Sequence, residues 1–217
     1  MKKVFAFAVF LILVYCGGCS TGVDPSPAPG IVRMTLKSDD ADTLLVILAD
    51  TIQFSKYDYY DVMVSQGRLW RGENYSYLYT NTSTARNATT IVNILQRKWK
   101  NGDIITPGDS VFDVDTWRSE YVSSTVYEWY VPPGTYDKLD FNLSGIEMYV
   151  VRPRRFQNPL QLPEGVRPIM TFPVSVTVEA GRTTEIQLVV SPFQSIRRYK
   201  DAYLFDRKVR VAKIQIL

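Results

Sequence analysis

From Ile31 onward, apolar and polar positions alternate with period two. Val32, Met34 and Leu36 alternate with Arg33, Thr35 and Lys37. Leu139, Phe141 and Leu143 alternate with Asp140 and Asn142, while Val174, Val176 and Val178 form a third set and Ile186, Leu188 and Val190 a fourth. Successive side chains of a strand point to opposite faces, so these runs predict half-buried strands of antiparallel sheet. Turn-forming residues punctuate them at Pro132-Pro133-Gly134, Ser144-Gly145 and Glu179-Ala180-Gly181. Thr43 to Phe54 is more continuously apolar, which predicts a central strand covered on both faces. In the last segment Val209 and Val211 share one face, then Ile214 and Ile216 the other. A one-residue slip of that kind predicts a β-bulge near Ala212 and Lys213.

One stretch departs from the pattern. Thr80 to Asp109 is polar, with an apolar patch at Ile91, Val92, Ile94, Leu95 and Trp99. That spacing predicts a short helix capped by Thr89 or Thr90 and stopped at Asn101-Gly102. A hairpin turning at Asn101-Gly102 is the alternative. The expected architecture is all-β: an antiparallel β-sandwich over residues 31–217, with one short helical insertion around 80–109.

The first thirty residues read differently. Lys2 and Lys3 precede an unbroken apolar run from Val4 to Tyr15, followed by Cys16-Gly17-Gly18-Cys19-Ser20. The run is shorter than the ~20 residues a helix needs to cross a bilayer. The whole segment resembles a bacterial lipoprotein signal: residues 1–18 would be removed and Cys19 lipidated to become the new N-terminus. Cys16 stands where such signals usually carry Leu. Ser20, rather than Asp, follows Cys19, which resembles the Gram-negative pattern for the outer membrane. Residues 19–30, with Pro25, Pro27 and Pro29, read as an extended tether. The expected location is therefore the cell envelope, with membrane lipid held through Cys19.

Composition narrows the chemistry. The chain has 217 residues, no histidine and two cysteines, both at the processing site. That leaves no Ser-His-Asp or Cys-His machinery, no imidazole metal ligand and no thiolate in the mature chain. There is no Gly-Lys pair and hence no P-loop, and no Ser-x-x-Lys pair. Catalysis would have to come from carboxylates or tyrosines. With Lys2 and Lys3 removed, the 25 basic residues fall to 23 against 22 acidic ones, a balance that gives no electrostatic case for nucleic acid. No cofactor and no metal site is expected. The acid clusters Asp39, Asp40, Asp42 and Asp113, Asp115 lack an EF-hand arrangement and read as turn acids.

The second half carries a recognisable order of elements. Val131-Pro132-Pro133-Gly134-Thr135-Tyr136 precedes a strand; Phe172-Pro173-Val174 and Val178-Glu179-Ala180-Gly181-Arg182 follow; Ser195-Ile196, Tyr203-Leu204 and Val209-Arg210-Val211 close the chain. This order is similar to a lipoprotein-associated family known as domain of unknown function 4382, best from Val131 to Ile216. The resemblance implies a transthyretin-like or immunoglobulin-like sandwich in an envelope setting. It carries no reaction and no catalytic residue. Independently of it, Gly134 suits a tight turn, and Tyr136 is expected to bury its ring while its hydroxyl finds a backbone partner.

Aromatic residues are the remaining candidates. Tyr75, Tyr77 and Tyr79 fall on one face of a strand, near Trp70. Flat rings suit the apolar faces of sugars while hydroxyls take hydrogen bonds, so these four are the candidate glycan contacts. Cross-strand packing of aromatics is the alternative. The reading that follows is a non-enzymatic, lipid-anchored module for binding or assembly, with an envelope protein or a glycan as partner. A fimbrial subunit or anchor, using strand exchange and processing at Arg33, is a second expectation, and a carbohydrate-binding lipoprotein a third.

Overall fold

The computed structural model describes residues 26–42, 46–47, 50–51, 56–80, 88–105, 118–151 and 155–217. Cys19, the signal segment and most of the expected tether lie outside them, as do Asp113 and Asp115. The strands, in chain order, are β1 (Gly30–Ser38), β2 (Val46–Ile47), β3 (Asp50–Thr51), β4 (Tyr59–Arg71), β5 (Asn74–Leu78), β6 (Thr89–Asn93), β7 (Arg97–Trp99) and β8 (Ser119–Tyr121). They continue as β9 (Ser124–Val131), β10 (Gly134–Val150), β11 (Phe156–Gln161), β12 (Ile169–Val178), β13 (Thr183–Val190), β14 (Ile196–Tyr199), β15 (Ala202–Phe205) and β16 (Val209–Ile216). No helix occurs among the described residues.

Two sheets dominate. The smaller runs β16-β13-β1-β9; the larger runs β14-β15-β11-β10-β4-β5, with β12 also pairing β10 and β6 also pairing β4. Their inward faces share one apolar cluster. Val32, Met34 and Leu36 of β1 and Ile186, Leu188 and Val190 of β13 meet Leu139, Phe141 and Leu143 of β10 and Val62, Val64 and Leu69 of β4. The period-two runs are thus the core, and the all-β expectation holds in a sandwich-like form. The sheets are mixed rather than purely antiparallel. β1 lies parallel to β13, and β11 parallel to β15. Alternation reports which face is buried and carries no strand direction.

Several local expectations are corrected. The helix in the 80–109 insertion is replaced by β6 and β7. Thr89, Thr90, Ile91 and Val92 are consecutive β-branched residues, which fit a pleated strand better than a helix. They pair with residues 62–65 of β4, burying Val92 and leaving Ile91 63% exposed. The chain then reverses at Asn101-Gly102: Trp99 N donates to Asp103 O at 2.8 Å and Ile105 N to Arg97 O at 3.1 Å, so the hairpin alternative is the one seen. The central strand expected over Thr43–Phe54 lies mostly outside the described residues; its described parts, β2 and β3, pair with each other.

Ser144-Gly145 is no turn either, since both residues lie inside β10. A Cβ on Gly145 would sit 2.8 Å from Leu160 Cβ, so glycine there permits close packing and accompanies a register shift against β4. The predicted bulge in the last strand is present. Gln187 pairs Lys213 and Leu188 pairs Val211, leaving Ala212 as the extra residue. Tyr136 also meets its expectation: its ring is buried and its hydroxyl donates to Pro132 O at 2.7 Å, across the turn that Gly134 makes at φ +147°.

Candidate functional site

The candidate aromatics assemble around the β4–β5 hairpin. Arg71 pairs Asn74 across a two-residue turn whose first central residue, Gly72, has φ +60°. That is the backbone form which matches strand twist in a tight hairpin. Gly72 N donates to Asp137 Oδ2 at 3.0 Å, tying the turn to β10. Leu69 and Leu78 point into the core, so Trp70 and Tyr77 point outward by strand alternation.

Rings then touch in sequence. Trp70 lies 4.6 Å from Tyr75, Tyr75 lies 5.1 Å from Tyr77 and perpendicular to it, and Tyr77 lies 6.0 Å from Tyr79. The series continues past the predicted residues. Tyr79 lies 4.7 Å from Trp129 of β9, and Trp129 6.3 Å from Tyr130. Since β5 belongs to the large sheet and β9 edges the small one, the band crosses the seam between sheets. Glu128 N donates to Tyr79 O at 3.2 Å at the same place. Tyr75 is 42% and Tyr130 62% exposed; Trp70, Tyr77, Tyr79 and Trp129 are half-buried.

Two cations lie over the band: Lys138 Nζ is 4.0 Å from the Trp70 ring centroid, and the Arg68 guanidinium is 5.4 Å from Tyr75 and 5.9 Å from Tyr77. The structure therefore brings Trp70, Tyr75, Tyr77 and Tyr79 together and adds Trp129, Tyr130, Lys138 and Arg68. Trp129 and Tyr130 are visible in the sequence as aromatics of a strand. Their approach to Tyr79 depends on which sheet edges meet, which periodicity does not encode.

The remaining candidates are committed elsewhere. Asp39 accepts from Arg210, Asp40 from Lys37 and Tyr121 N, and Asp42 from Phe193 N and Gln194 N. These acids pin turns together. No group of three or more potential metal ligands occurs among the described residues. Arg33, the expected processing point, lies mid-way along an inner strand paired on both sides, with its guanidinium 2.6 Å from Glu128. The Tyr59 hydroxyl donates to Glu147 at 2.6 Å, and that bond, with burial, pushes its pKa up to about 12. Burial likewise raises Tyr60, Tyr121 and Tyr127. All four are held more firmly as phenols, away from nucleophilic phenolate chemistry.

Compared with protein-family models, with curated proteins and with solved structures, the chain matches none.

Proposed function

We propose that this chain is a non-enzymatic binding module of the bacterial cell envelope, held to membrane lipid through Cys19, whose aromatic band contacts glycan. The observation that carries the reading is the band itself: six rings in unbroken contact from Trp70 to Tyr130, open to solvent at Tyr75 and Tyr130. Protein cores bury such surface; a row that stays partly exposed offers flat apolar faces flanked by hydroxyls and cations. Extended along a seam, it suits a polymer of rings better than one small molecule. The upward-shifted tyrosines and the lack of histidine and of any cysteine beyond Cys19 support binding over catalysis. The leader from Lys2 to Cys19 supports lipid anchoring, Ser20 after it an outer-membrane address, and the Pro132-to-Tyr136 corner a transthyretin-like or immunoglobulin-like sandwich related to domain of unknown function 4382.

The test is retardation of the full-length protein in native gels cast with soluble polysaccharides. Replacing Tyr75, Tyr77 and Tyr130 together by Ala is expected to abolish retardation while leaving the unfolding temperature nearly unchanged, because these rings lie outside the core cluster. Equal mobility of parent and variant in every gel would refute glycan contact.

A further inference from the structure

Beside the tyrosine row lies a block of polar residues that the band alone does not explain. On β5, β4 and β10 the register places Tyr75, Trp70 and Lys138 in one row and Tyr77, Arg68 and Asp140 in the next. Leu69 and Leu139, the residues between the rows, are fully buried in the core, so the block faces outward. Asp140 is nonetheless only 6% exposed. Its Oδ1, Arg68 Nε and Trp70 Nε1 are all shielded from solvent and have no hydrogen-bond partner within the protein. Arg68 and Asp140 face each other across neighbouring strands without forming an ion pair, because the guanidinium is laid over the Tyr75 and Tyr77 rings.

Buried polar atoms are normally paired, and an unpaired buried carboxylate opposes folding. Three of them at adjoining positions, two donors and one acceptor, point to an external partner. An anion would answer Arg68 and Trp70 but be repelled by Asp140. A cation would answer Asp140 but be repelled by Arg68 and Lys138. A group that both donates and accepts at neighbouring atoms, with no net charge, answers all three. We infer that this block binds a neutral sugar residue through vicinal hydroxyls, one donating to Asp140 and the other accepting from Arg68 or Trp70, while the ring packs on Tyr75 and Tyr77. The long side chains of Lys138 and Arg68 lie across the rings and turn aside to admit the sugar. Asp140 is then the residue that selects a neutral, diol-bearing glycan. This rests on the glycan-contact reading and specifies its ligand class.

The experiment compares the full-length parent, Asp140→Asn, Arg68→Gln and the tyrosine variant in gels containing dextran, glucomannan, xylan or alginate, with unfolding temperatures measured in parallel. Supporting results are retardation of the parent by a neutral polysaccharide and not by alginate, and a loss of about tenfold or more in affinity for Asp140→Asn, the scale of one charge-assisted hydrogen bond. Asp140→Asn should also keep or raise the unfolding temperature, since it removes an unpaired charge. A merely structural aspartate would lower it, and that result would overturn the inference. Retardation by a neutral polysaccharide that is lost in the tyrosine variant but unchanged in Asp140→Asn and Arg68→Gln would overturn the polar block and leave the aromatic reading standing. Preference for alginate would do the same. Retardation of the parent in none of the gels would remove both.

Discussion

Individual residues in this protein carry opposite signs of stabilisation. The Tyr136 hydroxyl closes the turn after β9 by donating to Pro132 O at 2.7 Å, with the ring buried beneath. Tyr136→Phe keeps the packing and removes the bond, so urea unfolding is expected to show a loss of about 1 kcal/mol. Asp61 acts the other way. It faces Glu147 across β4 and β10, and burial together with that like charge raises its pKa above the ordinary value. A carboxyl whose folded pKa lies above its unfolded one favours folding only while protonated. Stability falls as pH rises through the interval between the two values and stays lowered at neutral pH. Asp61→Asn is therefore expected to raise the unfolding temperature at pH 7, with the gain shrinking as the pH falls through the raised folded pKa and gone below the unfolded one. An unfolding temperature at pH 7 equal to that of the parent would contradict this origin of the shift.

At the scale of elements, register decides what each strand contributes. The extra residue Ala212 lets Val209, Val211 and Ile214 all pack against the core, despite the change of phase between them. Deleting Ala212 turns either Val209 and Val211 or Ile214 and Ile216 to solvent, and scanning calorimetry is expected to show a loss of about 2–4 kcal/mol, the scale of two exposed aliphatic side chains. A deletion that melted with the parent would mean that the bulge had moved elsewhere at little cost. This feature was legible in the sequence because a phase slip is a one-dimensional signal. So were the cores of β1, β10 and β13 and the row of Tyr75, Tyr77 and Tyr79. The helix expected near Ile91 was misread because apolar spacing outweighed the local run of β-branched residues. The turn expected at Ser144-Gly145 was misread because glycine serves close packing against Leu160 as readily as it serves a turn. Asp140 read as one polar member of an alternating strand, and nothing in its neighbours along the chain reveals that Arg68 is turned away from it.

At the scale of the molecule, the two sheets are joined by the core they share and by the aromatic seam at β5 and β9. Substitutions in the seam and in the core should separate cleanly. Leu139→Ala or Phe141→Ala, both fully buried, is expected to cost about 2–5 kcal/mol in urea unfolding, whereas the exposed rings Tyr75 and Tyr130 should cost far less. Comparable losses at both places would make the band part of the core.

The position of β1 has a kinetic meaning. It pairs on one side with β9 and on the other with β13, so that Thr35 meets Glu185 from 150 positions away. β1, the first of the described strands, must therefore wait for its last neighbour, and β16 can dock only after β13 has arrived. Until then the backbone N–H and C=O groups along that edge of β1 have no strand partner. A chain wired in this way closes slowly for its size, and while it folds β1 is the strand that most needs shielding.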